Sequence, residues 1–96
     1  MADASPPPTV TFLTRPGCHL CDDAREELAA VFADRRASGL AVPAIDEVNI
    51  ETDPGLLERY LDTIPVLLVG ADALPLAMRP GAIRRFLDHV LDGAPA

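Results

Sequence analysis

Thr9-Val10-Thr11-Phe12-Leu13-Thr14-Arg15-Pro16-Gly17-Cys18-His19-Leu20-Cys21 is the stretch whose reading decides the fold. Val10 and Phe12 alternate with threonines, the period of a strand with one buried face. From Leu20 onward the period changes. Leu20, Ala24, Leu28, Val31 and Phe32 form the apolar stripe of an amphipathic helix, which Gly39 is suited to stop. Cys18 and Cys21, the whole cysteine content of the chain, therefore fall where a strand hands over to a helix.

Working outward, Ile45, Val48 and Ile50 mark a second strand. Asp53-Pro54 reads as an N-cap with proline at the first helical position, ahead of an apolar face made by Leu57, Tyr60 and Leu61. Val66-Leu67-Leu68-Val69 is an unbroken apolar run, as in a central strand buried on both faces. Gly70-Ala71-Asp72 reads as a turn that sends Leu74 to Met78 back antiparallel. Pro80 opens a last helix with the stripe Ile83, Phe86, Leu87, Val90 and Leu91. The order βαβαββα predicts an α/β fold with a central four-stranded mixed sheet flanked by helices, the first two strands parallel and the late hairpin antiparallel. Residues 9–92 are expected to form a single domain, with 1–8 and 93–96 as flexible tails.

Composition narrows the function. Ninety-six residues suffice for one core, and 49% apolar against 24% charged residues is the balance of a packed domain. The formal charge is −7 and no lysine occurs, which argues against a nucleic-acid or anionic-membrane partner, since both need clustered basic residues. Met1 to Pro8 lacks the basic and apolar regions of a secretory signal, and no apolar run approaches the ~20 residues of a membrane span. The expected setting is a cytoplasmic monomer, and there a paired CxxC is catalytic or metal-binding rather than structural.

The spacing and the position both suit thiol chemistry. Residues three apart on a helical turn place their Cβ atoms about 5–6 Å apart. A disulfide needs roughly 3.8 Å, a small adjustment in either direction. Only the thiolate attacks a disulfide, and an ordinary thiol has a pKa near ~8.5. A helix N-terminus favours an anion by up to ~2 kcal/mol, enough to move a thiol towards ~7. Cys18 is then the exposed nucleophile and Cys21, one turn in, the resolving thiol. A protonated His19 would add a cation beside Cys18, and Arg15 acts in the same direction, while Asp22 and Asp23 oppose it. No mononuclear metal site is expected, because Cys18, His19, Cys21 and His89 do not offer four ligands in a recognised spacing. Arg35-Arg36 and Arg84-Arg85 read as solvated faces or partners of Asp and Glu, His89 as a surface residue and Tyr60 as a core residue.

Thr14-Arg15-Pro16-Gly17-Cys18-His19-Leu20-Cys21 is similar to the approach to the active site in glutaredoxins. Thr63-Ile64-Pro65-Val66 looks like their second signature, in which a cis proline stands beside the CxxC. The resemblance spans roughly residues 9–92 and is to the divergent short glutaredoxin-like proteins of bacteria. It implies a thioredoxin-like (glutaredoxin-like) fold, with Cys18 and Cys21 as the catalytic pair. Pro65 would be cis, with the Ile64 backbone free to pair with an extended substrate. Arg15 would meet a substrate carboxylate. Two features depart from the family pattern. His19-Leu20 replaces an aromatic-containing dipeptide, and Arg79-Pro80-Gly81-Ala82 stands where a Gly-Gly turn and an acidic residue help hold glutathione. Arg79 and the free N–H groups at Gly81 would then receive the carboxylate. The implied partners are glutathione, as co-substrate rather than bound cofactor, or disulfide-containing proteins. Two other readings stay open: an iron–sulfur or metal-carrying dimer, since a cluster needs four thiolates, and a redox-inert interaction module.

Overall fold

Apolar strand segments and apolar stripes on the helices produce, among the described residues, four strands and three helices. They are β1 (Val10–Thr14), α1 (His19–Ala37), β2 (Ile45–Asn49), α2 (Pro54–Tyr60), β3 (Val66–Val69), β4 (Asp72–Leu74) and α3 (Ala82–Asp92), with a 3₁₀ turn at Ile50–Thr52. The computed structural model describes residues 8–93, so most of both expected tails, 1–7 and 94–96, lies outside the described residues. The sheet order is β2-β1-β3-β4. β1 runs parallel to β2, with Phe12 opposite Glu47, and antiparallel to β3, with Phe12 opposite Leu67. β3 and β4 form the closing antiparallel hairpin.

β1 is interior in the sheet, and both of its faces are covered by packed elements. Val10 and Phe12 join α1 residues Ala24, Leu28 and Val31 and α3 residues Ile83 and Leu87 in one core layer. Leu13 joins Cys21, Ile50, Ile64 and Val66 in a second, with Leu56, Leu57 and Tyr60 packed against it. Only one buried face was expected for β1; helices on both sides of the sheet, α1 and α3 over one face and α2 with the 3₁₀ turn over the other, account for the difference. β3 alternates between the layers, Leu67 and Val69 in the first and Val66 in the second.

Several boundaries differ from the sequence expectation. β4 occupies Asp72–Leu74 rather than Leu74 to Met78. The turn is the two residues Gly70-Ala71, with Gly70 at φ +58° as two-residue hairpins favour. Pro75 has no N–H to donate and ends the strand. Ile50 is fully buried but belongs to the 3₁₀ turn, not to β2. α3 begins at Ala82, after Gly81 in a left-handed conformation at φ +75°, not at Pro80. Leu20 and Leu61, expected on apolar faces, are 45% and 41% exposed. The Asp53 cap is as read, its carboxylate accepting from the Gly55 N–H at 2.8 Å. No helix among the described residues is long and apolar enough to cross a membrane.

Candidate active site

Pro16 and Gly17 turn the chain out of β1, Gly17 taking φ +72°, a conformation that costs a residue with a Cβ. Cys18 follows as the N-cap of α1 in extended backbone geometry, and its carbonyl accepts the first helical bond from the Asp22 N–H at 3.1 Å. Its Sγ accepts from the Cys21 N–H at 3.1 Å, a side-chain cap made by sulfur. The two cysteines form a disulfide with Cα atoms 5.2 Å apart, within the usual range. The pair is asymmetric: Cys18 is half-buried at the surface, whereas Cys21 is 1% exposed inside the second core layer.

The residues predicted for this site fall in two places. Ile64 packs in the same cluster as both cysteines, and the Ile64–Pro65 peptide is cis with Pro65 fully buried. The Ile64 N–H, however, donates to Tyr60 O at 3.1 Å, so it is engaged rather than open. Thr63 O and Pro65 O accept from Leu76 and Ala77 at 2.9 and 2.8 Å, which fixes the segment between them. Arg15 pairs with Glu51 at 3.0 Å, a half-exposed contact of the kind that exchanges readily. His19 is exposed. Arg79 and Gly81 lie at the approach to α3. The Gly81 N–H already donates to a carboxylate, Glu27 of α1, at 3.3 Å. Arg79 lines a groove between the end of β4 and α3 in which neither cysteine takes part.

Residues 9–90 match the family described as glutaredoxin-like domain (DUF836). The chain belongs to the glutaredoxin-like family. Among solved structures, this glutaredoxin-like chain is similar to the X-ray structure of protein XcR50 from X. campestris. Identity there is 31% over 90% of this chain and 99% of the other, with TM-score 0.67. It is also similar to the solution NMR structure of protein Ne2328 from Nitrosomonas europaea, at 24% identity over 90% and 98% of the two chains and TM-score 0.62, which speaks to the fold. A comparison with curated proteins finds no match.

A supporting network of this glutaredoxin-like site was not read from the sequence. Arg25, one turn beyond Cys21, donates Nε and Nη2 to the two oxygens of Glu47 on β2 at 3.0 and 2.6 Å. It also pairs with Asp22 at 2.8 Å and lies over the Phe12 ring. Buried Thr14, at the end of β1, donates its hydroxyl to Glu47 at 3.0 Å. These bonds hold the Glu47 carboxyl below the usual carboxylate range, Arg25 first and Thr14 after it, against the opposing effect of partial burial. The network clamps the first turns of α1 to β1 and β2, and so sets where the cysteines stand. Its partners are 22 and 33 residues apart, beyond any local pattern.

Proposed function

We propose that this glutaredoxin-like protein is a thiol–disulfide oxidoreductase with Cys18 as nucleophile and Cys21 as resolving thiol. The asymmetry of the pair carries the reading: an accessible N-cap sulfur facing an N–H donor, and a buried sulfur one turn behind it. In the reduced protein the same N–H and the helix dipole favour the Cys18 thiolate. That thiolate attacks a substrate disulfide R–S–S–R′, forming Cys18–S–S–R and releasing R′–S⁻. The Cys21 thiolate then attacks Cys18 Sγ, closing the intramolecular disulfide and releasing R–S⁻. The substrate gains two electrons and the protein loses two; glutathione or a dithiol protein returns them.

Substrate would lie against Ile64, which shares a cluster with the cysteines, with the buried cis Pro65 shaping the segment it meets. Arg15 would exchange Glu51 for a substrate carboxylate, and Arg79 with the Gly81 amide would serve an extended substrate only if Glu27 is displaced. This exchange requires a reducing compartment such as the cytoplasm, and the chain acts on glutathione or protein disulfides as a monomer.

The test uses reduced Cys21→Ser with oxidised glutathione and intact-mass analysis. One glutathione is expected to accumulate per chain, on Cys18, while wild type under the same treatment ends as the internal disulfide. No adduct in the variant and no internal disulfide in wild type would reject the mechanism.

A further inference from the structure

A groove of about 480 Å³ runs between the end of β4 and α3, within the size range of small-molecule sites. Its walls are Leu74, Pro75, Leu76 and Phe86, and its charged lining side chains include Arg79 and Arg85. No cysteine, and neither Ile64 nor Pro65, contributes to it; Arg79 alone is shared with the path proposed above for an extended substrate.

The charge balance of the groove runs opposite to that of the chain. The protein has 15 acidic residues and a net charge of −7, yet no carboxylate lines this groove. Four of the eight arginines, Arg15, Arg25, Arg35 and Arg84, form ion pairs among the described residues. Arg79 and Arg85 do not pair with an acid there, and both face the groove. Arg85 reaches over the glycine turn that opens α3, its Nη1 2.7 Å from where a Cβ on Gly81 would stand.

The backbone of one wall is unusual as well. Leu76 holds φ +50°, in the left-handed region, with its N–H fixed to Thr63 O at 2.9 Å. A leucine adopts that conformation at a cost, and such residues concentrate at ligand sites. Here it lines the apolar side of the groove.

We infer that this groove binds a small free organic acid, with an apolar chain along Leu74, Leu76 and Phe86 and a carboxylate between Arg79 and Arg85. A carboxylate gains two cationic partners there that a neutral apolar ligand cannot use, and a cationic ligand would be repelled. The inference does not depend on the cysteine chemistry.

The full chain in its disulfide form is titrated with decanoate and followed by amide chemical shifts, with decanol and decyltrimethylammonium as controls. Saturable shifts are expected at Leu74, Leu76, Arg85 and Phe86, with decanoate the tightest of the three. Arg79→Gln/Arg85→Gln should weaken decanoate about tenfold, the sum of two partly exposed charge contacts. Arg36→Gln, an exposed arginine on α1, should leave decanoate affinity unchanged, and the amide spectra show whether each variant is folded. Decanol binding as tightly as decanoate would overturn the inference, as would shifts confined to the cysteines. Groove shifts that depend on protein concentration alone, with a dimer in sedimentation, would assign the groove to a second copy and also overturn it.

Discussion

Cys18→Ser is expected to abolish disulfide exchange, lowering turnover of a glutathione mixed disulfide by roughly a thousandfold or more. A serine hydroxyl neither ionises near neutral pH nor exchanges with a disulfide, so no rescue through Cys21 follows: that sulfur is 1% exposed and out of reach of a bulky substrate. The loss can be read as chemistry rather than unfolding, because serine is among the best N-cap residues and Cys18 is the N-cap of α1. Cys21→Ser should behave differently. It buries a hydroxyl beside Leu13, Ile50 and Val66, at a cost of about 1–3 kcal/mol, yet keeps the attacking sulfur. Steady-state turnover and thermal unfolding of the two variants, side by side, check both halves. A Cys18→Ser variant that keeps more than a small fraction of wild-type turnover would contradict the assignment of the nucleophile.

Asp88→Asn/Asp92→Asn is expected to destabilise the fold by about 3 kcal/mol, a large share of what a domain this size holds in reserve. Arg35, on α1, is 1% exposed and donates to Asp88 at 2.9 Å, to both oxygens of Asp92 at 2.8 and 3.1 Å, and to Ala41 O at 2.7 Å. Of the two expectations for Arg35, a solvated face or a partner of acidic residues, the second holds. Two effects compete in the double variant. Neutralising carboxylates near the C-terminal end of α3 relieves their clash with its dipole, worth about 0.3–1 kcal/mol each. The amide oxygens of the asparagines can still accept from Arg35, but a buried guanidinium left without a counter-charge costs about 3–5 kcal/mol, and that effect wins. Arg35→Met removes the buried charge itself while the half-exposed carboxylates turn to water, so its cost should be nearer 1 kcal/mol. Thermal unfolding should place the double variant roughly 12 °C or more below wild type. Equal melting of the two variants would show that burial of the charge is not what matters.

These two sites also show how far the sequence is legible. The strand, cysteine pair and helix of residues 10–37 are readable because each signal is local: alternation in β1, a loop glycine at φ +72°, and an apolar stripe behind the cap. The hairpin was displaced because Pro75 weighs more than the apolar character of Leu74 to Met78, and a strand cannot run through it. Leu20 has the right period for the stripe, but at the mouth of α1 there is no neighbour to cover it. No local signal marks Arg25 and Glu47 as a clamp on α1, or Arg35 as a buried tie, because the partners that make them so lie 22 to 57 residues away. Only the fold brings those charges together. Ile64 illustrates a middle case: the motif brings it beside the cysteines, but not the bond from its N–H to Tyr60.

Equilibrating wild-type protein in glutathione buffers of graded ratio, then trapping thiols and measuring mass, tests the central claim most directly. The account predicts one reversible two-electron transition between the dithiol and the Cys18–Cys21 disulfide, with a midpoint between about −270 and −120 mV, the span of CxxC proteins. Thiols that stay unpaired across the whole series, or a disulfide that never reopens, would contradict it.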